Sequence, residues 1–278
     1  MSVRLDEWIG KSERTTEFLS LAHLQRVSAT LGEPVLAAND SIPHLWQWCF
    51  FQPALSAGEL GRDGHPALGG FLPPADNRNR MWAGGRLSFI KPLKADSFAE
   101  RTSTITAIKE KDGSTGNLLF VTVSHVYEQF GEVCIREEQD IVYREPSVPK
   151  AASEPGMNAP EWSEEHDPST TQLFRYSAVT FNGHRIHYDF NYATEVEGYA
   201  GLVTHGPLIA TLNLSAFIRA NPDKEVTEFS YRGVRPLTCG QAFQTIGRIT
   251  EDGHAQLEAA NSSGVAQVAK IKYVSKHH

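Results

Sequence analysis

One pattern constrains the fold of this chain more than any other: a helical segment followed by a β-rich segment occurs twice. Apolar residues at helical spacing predict a helix over 16–31, and Gly32 follows it as a C-cap. Period-two runs over 81–143, with turn signals at Asp112-Gly113 and Phe130-Gly131, predict an antiparallel meander. A second apolar helix is predicted over 207–219, and four more β-rich runs follow it over 229–274.

A Pro-rich segment separates the two copies of this pattern. Residues 146–168 combine five prolines with many Ser, Glu and Ala residues, a composition typical of linkers. We therefore predict an N-terminal half over 1–145, a linker over 146–168 and a C-terminal half over 169–278. One helix beside an antiparallel sheet, present twice, predicts an α+β fold in which the two sheets join edge to edge.

Charge and cysteine content exclude several classes of protein. The 26 Lys+Arg residues against 33 Asp+Glu residues give a net charge of −7, which argues against a nucleic-acid partner. No run approaches the roughly 18 apolar residues that a membrane helix needs, so no membrane partner is expected. Cys49, Cys134 and Cys239 are too far apart for a disulfide framework or a zinc site, and we expect reduced thiols in a cytoplasmic protein.

The densest polar cluster is FNGHRIHYDFNY, residues 181–192. Two imidazoles three residues apart, beside an amide and a guanidinium, suit general acid/base chemistry on an anionic substrate. Two other interpretations stay open: a surface loop of scattered polar residues, or a metal site in which His184 and His187 ligate together with Asp189 or His205. A clear third ligand at firm spacing is missing from the sequence, so we predict no metal.

A second cluster, GLVTHGP at residues 201–207, leads directly into the predicted helix. Pro207 suits the first helical turn, and Gly206 leaves an unobstructed N–H at the positive end of the helix dipole. Such an N–H can stabilise a developing oxyanion. Alternatively, Gly206 serves only to turn the chain into the helix.

These segments carry a resemblance to a known superfamily. FNGHRIHYD, followed by EGYAGLVTHGPL, resembles the hydratase motif of the MaoC-like, (R)-specific enoyl-thioester hydratases and dehydratases, which have the hotdog fold. The N-terminal half is similar to the companion dehydratase domain of one branch through PHLWQWCFF, DGHPALGGFLPP, RMWAGGRLSFIKPL and EEQDIVYRE. That branch includes itaconyl-CoA and mesaconyl-CoA hydratases and mitochondrial 3-hydroxyacyl-thioester dehydratases. The resemblance implies a double hotdog whose N-terminal half shapes the acyl pocket.

The resemblance also implies roles for individual residues. The catalytic histidine of the family falls on His187 and its oxyanion-hole glycine on Gly206, whereas its catalytic aspartate falls on Asn182. His184 and Arg185 replace the usual Asn-Pro of the motif. We expect His187 to take a proton from the attacking water, Asn182 to orient that water and the Gly206 N–H to stabilise the enolate. The proton for the α-carbon would come from His187, from a water or from His184.

Binding residues are predicted from the chemistry of the substrate. A dicarboxylic acyl group carries a free carboxylate that needs a cation in a dry pocket, and Arg185 and Arg86 are the candidates. Tyr188 and Trp82 are assigned to the acyl pocket, and the neighbouring aromatic residues 46–51 form either core or the wall of an acyl tunnel. The candidates for the phosphates of coenzyme A are Lys91, Arg232 and Arg235.

The resemblance favours one function and leaves others open. We expect a hydratase that adds water reversibly to itaconyl-CoA or mesaconyl-CoA and gives citramalyl-CoA. It would need no metal or redox cofactor, since coenzyme A is part of the substrate. The alternatives are a (3R)-hydroxyacyl-thioester dehydratase of fatty-acid synthesis, an acyl-CoA thioesterase and a non-catalytic acyl-CoA-binding module. A homodimer is compatible with this fold, and the sequence does not decide the oligomeric state.

Overall fold

Ten strands form one antiparallel sheet in the computed structural model, which describes residues 4–75, 78–113, 116–147 and 149–276. The sheet order is β1-β3-β4-β5-β2-β7-β10-β9-β8-β6. The strands are β1 (Ser12–Phe18), β2 (Asn79–Phe89), β3 (Phe98–Gly113), β4 (Gly116–Gln129), β5 (Glu132–Arg144), β6 (Trp162–His166), β7 (Lys224–Gly233), β8 (Phe243–Glu251), β9 (His254–Asn261) and β10 (Gly264–Ser275).

Three α-helices accompany the sheet: α1 (Leu21–Leu31), α2 (Thr170–Val179) and α3 (Gly206–Ala220). Short turns of 3-10 helix occur at Leu5–Trp8, Trp46–Cys49, Ala57–Glu59 and Arg185–His187, and a π turn occurs at Tyr192–Val196. In the described part of the chain, the helices are too short or too polar to cross a membrane.

The helix predicted over 16–31 is wrong at its start. Residues 12–18 form β1, which pairs with β3 at the edge of the sheet. The helix begins only at Leu21, because the Ser20 side chain accepts a hydrogen bond from the His23 N–H and caps it there. The β-branched Thr15 and Thr16 suit an extended backbone better than a helix.

The predicted joining of the two sheets edge to edge is confirmed at the pairing of β2 with β7. Gly84 lies opposite Arg232, and Gly85 lies opposite Tyr231. A Cβ on Gly84 would overlap the carbonyl oxygen of Tyr231. The two glycines therefore allow close approach of β7.

The two halves are covered unequally. The central helix α3 is buried along most of its length and packs on the strands of the C-terminal half, β6 to β10. In the N-terminal half α1 contacts mainly α2 and adds Leu24 and Val27 to a core that includes β2, β4 and β5, so the expectation of one covering helix for each half holds more fully in the C-terminal half. The aromatic segment 46–51 fills the core instead, which supports its interpretation as core; its large buried members are Trp46, Trp48, Phe50 and Phe51.

The segment predicted as a linker is partly structured. Residues Trp162–His166 form β6, which pairs with the free edge of β8. Upstream of β6, the Ser153 N–H donates to the Ser263 carbonyl, and the Glu154 carbonyl accepts from the Val265 N–H. The boundary predicted at residue 169 therefore lies too late, because the edge of β8 offers hydrogen-bond partners to residues before it.

A loop of the N-terminal half, Gly61–His65, docks on the backbone of the polar cluster in the C-terminal half. The Arg185 N–H donates to the Asp63 carbonyl at 2.8 Å, and the Arg185 guanidinium donates to the Arg62 carbonyl at 3.1 Å. Gly64 has a φ of +86°, and a Cβ on it would overlap the carbonyl oxygen of Gly183. Two glycines thus bring the two backbones into direct contact.

We expect Gly64→Ala to weaken this contact specifically. The added methyl group combines a strained positive φ with overpacking against Gly183, and we expect the free energy of unfolding to fall by about 3 kcal/mol. Gly69→Ala is the matched control, because Gly69 has a φ of +91° but nothing within 4 Å of its Cβ position. It should cost about 1 kcal/mol of strain alone. Urea unfolding of both variants measures the difference, and equal losses would contradict the docking contact.

Candidate active site

Four imidazole rings lie one next to another in the interior of the protein. They belong to His65, His184, His187 and His205, and we call them the histidine row. The ring centroids of His65 and His184 are 4.3 Å apart, and those of His184 and His187 are 5.4 Å apart. The rings of His187 and His205 are stacked, with centroids 3.6 Å apart and an angle of 19° between their planes. Both halves of the chain contribute to the row, since His65 belongs to the N-terminal half.

His187 is buried and held in one tautomer. Its Nδ1–H donates to the carbonyl of Val203 at 2.7 Å, because a carbonyl oxygen can only accept. Nε2 is therefore unprotonated in the neutral ring. Burial, and then the neighbouring rings of His205 and His184, lower the pKa of His187 well below its usual value. The ring is neutral near pH 7, with Nε2 able to accept a proton.

Gly206 follows His205, the residue whose ring stacks on that of His187. It is the first residue of α3 and follows His205, whose Nε2 is hydrogen-bonded to the Ser177 hydroxyl at 2.8 Å. As the first helical residue, Gly206 has an N–H without an acceptor inside the helix. Its carbonyl, which belongs to the following peptide, accepts from the Gln267 side chain at 3.0 Å. The arrangement suits the predicted oxyanion donor.

Asn182 shapes the turn that carries His184. Its Oδ1 accepts from the His184 N–H at 2.9 Å, and its own N–H donates to the Ser177 carbonyl at 2.8 Å. An amide oxygen has a second lone pair, so a water can still bind to Oδ1. The water-orienting role of Asn182 stays a prediction, and the structure adds a positioning role.

His184 faces a buried acid that the sequence analysis did not select. Its Nε2 lies 3.7 Å from Oε1 of Glu197, and each residue is only 5% exposed. Among the described residues, neither His184 Nε2 nor either carboxylate oxygen of Glu197 has a hydrogen-bond partner. Glu197 opens the segment EGYAGLVTHGPL, and an acid at the head of a largely apolar segment was the available signal.

The N-terminal half supplies a second acid to the row. Asp63 Oδ2 lies 3.1 Å from Nδ1 of His65, and burial followed by the charge of Arg80 lowers the pKa of His65 to about 3. Burial raises the pKa of Asp63, but the hydrogen bond and charge of His65 lower it more, so the net shift is downward. The N-terminal half therefore contributes polar side chains to the site, beyond the pocket-shaping role that was predicted.

The metal ligands considered from sequence do not come together. Nδ1 of His187 is bonded to Val203, and Asp189 is paired with Arg185 at 2.7 Å. Within the described residues, the metal-compatible group is Asp63, His65 and His184, whose ligand atoms lie within 4.8 Å of one another. Two imidazoles and a carboxylate suit a divalent cation. The contact between Asp63 and His65 is equally explained as a hydrogen bond within a neutral histidine row.

Both arginines predicted to bind the acyl carboxylate already hold acids of the protein. Arg86 is half exposed and forms ion pairs with Glu138 at 2.5 Å and Asp140 at 2.9 Å. It lies on the face of β2 opposite to the buried Leu87. Arg185 donates to Asp189 and covers the ring of Tyr192 at 4.2 Å. Neither guanidinium therefore suits the predicted role of binding the acyl carboxylate.

The remaining predicted binding residues divide into two groups. Trp82 lies at the site, because its carbonyl oxygen is 3.9 Å from the Cβ position of Gly206. Tyr188 is exposed and donates its hydroxyl to the Gly183 carbonyl.

The three candidates for coenzyme A phosphates have different surroundings. Lys91 pairs with Glu132 at 2.5 Å, and Arg235 is buried and donates to Asn261 and to the Gly264 carbonyl. These contacts give both residues structural roles. Arg232 stays exposed on β7 and remains a candidate.

The buried rings of His65, His187 and His205 make stability depend on pH. Burial, and then the charge of His184, lower the pKa of His205 from 6.5 to about 3. The unfolded chain takes up protons on these rings below pH 6.5 while the folded chain does not, so stability falls as the pH drops from 6.5 towards 3. At pH 5.5 each such ring costs about 1.4 kcal/mol.

We expect His205→Gln to reduce this acid dependence by about 1.4 kcal/mol between pH 7.5 and 5.5. His254→Gln, which removes an exposed histidine, should leave the dependence unchanged. Urea unfolding at three pH values measures it. An unchanged dependence in His205→Gln would mean that His205 is not buried in its neutral form.

Comparison with known proteins gives this geometry a context. Residues 45–239 match the family model described as hydroxyacyl-thioester dehydratase type 2. The chain is 41% identical to a mesaconyl-C(4)-CoA hydratase of Chloroflexus aurantiacus, over 94% of this chain and 95% of that protein. It is 28% identical to the mitochondrial hydroxyacyl-thioester dehydratase type 2 of Schizosaccharomyces pombe, over 87% of this chain and 91% of that protein.

Solved structures agree on the fold. A MaoC-like dehydratase from Phytophthora capsici superposes with a TM-score of 0.71 at 15% identity, covering 99% of this chain and 100% of that one. The predicted double hotdog of class α+β is thereby confirmed. The chain belongs to the hydroxyacyl-thioester dehydratase type 2 family.

Proposed function

We propose that this protein is a hydro-lyase that adds water reversibly to the double bond of mesaconyl-CoA or itaconyl-CoA and gives citramalyl-CoA. One observation carries the proposal: the buried His187, whose Nε2 has no partner among the described residues, stacks on His205, the N-cap of α3. The 41% identity to a mesaconyl-C(4)-CoA hydratase supports the choice of acyl group. A cytoplasmic location and the pairing of two copies stay predictions from the sequence.

The proposed reaction begins with the thioester carbonyl oxygen accepting from the Gly206 N–H. His187 Nε2 takes a proton from a water, and the resulting hydroxide bonds to the β-carbon. In mesaconyl-CoA, whose double bond is conjugated with the thioester, the electron pair of the double bond moves to the thioester oxygen as an enolate, which the Gly206 N–H and the dipole of α3 stabilise. A proton then bonds to the α-carbon and regenerates the thioester. These steps need no redox cofactor, and coenzyme A belongs to the substrate.

Two groups are available as the source of that proton. His187 holds the proton it took from water and can return it, directly or through a second water. His184 lies in edge contact with His187 and faces Glu197, whose carboxylate can balance a proton carried on His184. An amide at position 182 cannot pass a proton as a carboxylate would, so the acid/base work falls on these imidazoles.

A (3R)-hydroxyacyl-thioester dehydratase of fatty-acid synthesis is the alternative, supported by the family model and by the relative from Schizosaccharomyces pombe, both described as hydroxyacyl-thioester dehydratase type 2. The two functions share the acid/base residues and differ at the acyl end. A long apolar chain needs a long apolar tunnel, whereas a dicarboxylic acyl group needs a cation. Thioester hydrolysis and simple acyl-CoA binding are further outcomes that one assay can separate.

The first experiment measures hydration directly. Purified protein is incubated with mesaconyl-CoA, itaconyl-CoA and crotonyl-CoA, with and without a chelator, while enoyl-thioester absorbance and free thiol are followed. Loss of absorbance without thiol is the expected result. Release of thiol would replace the proposal with hydrolysis, and sensitivity to the chelator would assign a cation to Asp63, His65 and His184.

We expect His187→Ala to lower kcat by about a hundredfold or more, because it removes the proposed general base. The fold should persist, as judged by circular dichroism. His254→Ala removes an exposed histidine and serves as the matched control, with unchanged rates expected. Normal turnover by a folded His187→Ala variant would contradict the assignment of His187 as the general base.

Asn182→Asp should keep the turn, because a carboxylate oxygen can accept from the His184 N–H as the amide does. It adds a charge near the neutral histidine row and should change the pH profile of kcat/KM while activity survives. Asn182→Ala removes the acceptor and should lose activity. Profiles from pH 5 to 9 compare the three forms; identical behaviour of the Asp and Ala variants would exclude the positioning role.

A further inference from the structure

One arginine at the site has no acid of its own. Arg80 lies half-buried on β2, and in the described part of the chain its guanidinium takes part in no hydrogen bond or ion pair. This contrasts with Arg86 and Arg185, which each hold a carboxylate of the protein. A partly buried cation without an anionic partner is costly unless a ligand supplies one.

The register of β2 directs Arg80 towards the histidine row. Arg80 pairs with the buried Tyr143 of β5, and Trp82 lies on the same face two residues further along. The register shifts between Trp82 and Gly84, so that Arg86 falls on the opposite face despite its even spacing. The charge of Arg80 also acts on His65, at one end of the row.

Tyr143 adds a second donor at the same place. Its side chain is fully buried, and its hydroxyl has no hydrogen-bond partner among the described residues. Asp63 is the acid whose charge acts on Tyr143, but both of its oxygens already accept from His65, one from the ring and one from the N–H. A buried donor without an acceptor costs about 1–3 kcal/mol, so this pair of donors calls for an acceptor from outside the chain.

The distance along β2 matches a short acyl group. The Trp82 carbonyl oxygen is 3.9 Å from the Cβ position of Gly206, the residue whose N–H is proposed to bind the thioester oxygen. Two residues of strand separate Arg80 from Trp82 by about 7 Å. A four- or five-carbon acyl chain spans about 5 Å from thioester to carboxylate, and a guanidinium is within reach of that end.

We propose that Arg80 and Tyr143 form a carboxylate subsite that binds the free carboxylate of a dicarboxylic acyl group. The inference rests on the proposed hydratase function and deepens it, because it assigns the residues that select the substrate class. A carboxylate accepts from the guanidinium and from the phenol together. A long apolar chain in the same position would bury Arg80 unpaired, which disfavours the fatty-acyl alternative.

The test compares a charged with an uncharged substrate. We expect Arg80→Gln to lower kcat/KM for mesaconyl-CoA by at least about tenfold, the scale of a lost charged hydrogen bond. The value for crotonyl-CoA, which lacks the second carboxylate, should stay within about threefold. Tyr143→Phe should give a smaller loss, again with mesaconyl-CoA only. Arg86→Gln is the matched control and should change neither value, since Arg86 lies on the opposite face.

A binding measurement separates this inference from the reaction itself. Titration calorimetry with methylsuccinyl-CoA and butyryl-CoA, which cannot be hydrated, should give tighter binding of the dicarboxylic analogue to wild type. Arg80→Gln should remove that preference and Arg80→Lys should restore part of it. If Arg80→Gln does not fold, the Lys and Tyr143→Phe variants carry the comparison.

The outcomes are distinct. Equal losses for both substrates, or equal binding of both analogues to wild type, would overturn the subsite. Turnover of none of the enoyl-CoA substrates by wild type would overturn the proposed function, while the binding preference would still report on Arg80 and Tyr143.

Discussion

The pairing of β2 with β7 determines where every residue of the candidate site lies. It joins the halves into one sheet and brings the face of β2 that carries Trp82 beside the N-terminus of α3. Close contact at this junction needs a strand without side chains, which Gly84 and Gly85 provide. Strand β2 of the N-terminal half thereby forms one side of the candidate site in the C-terminal half.

The loop Gly61–His65 adds a second connection, and its effect is electrostatic. It extends the histidine row by one ring and adds the Asp63 carboxylate at the far end, while Glu197 faces the middle of the row. Acids thus flank a line of largely neutral imidazoles. Since the row lies in a buried environment, proton movement along it depends on these few groups rather than on solvent.

Sequence reasoning captured the parts that depend on local pattern. The strands, α3 and the turn residues follow from periodicity and capping, and the resemblance gave His187 and Gly206, which the structure brings to neighbouring positions. The binding arginines could not be obtained in this way. The partners of Arg86 lie some fifty residues away on β5, and only the register of the sheet reveals that they are near.

The start of α1 and the role of the N-terminal loop illustrate the same limit. Thr16 and Phe18 fit a helical pattern, yet they form part of β1, which pairs with β3 at the edge of the sheet. Asp63 and His65 stand in a Gly- and Pro-rich loop, and their role depends on a backbone contact with Gly183, more than a hundred residues away. Tertiary partners, rather than local preference, decide both cases.

The irregular register of β2 has a consequence for how such chains diverge. Because one extra residue, Ala83, separates the faces on which Arg80 and Arg86 lie, losing that residue would rotate one end of the strand relative to the other. Loss of Ala83 would therefore exchange the side chains of β2 that share the face of Trp82, with no change at His187. The length of this strand, as much as its composition, therefore decides which side chains face the proposed acyl pocket.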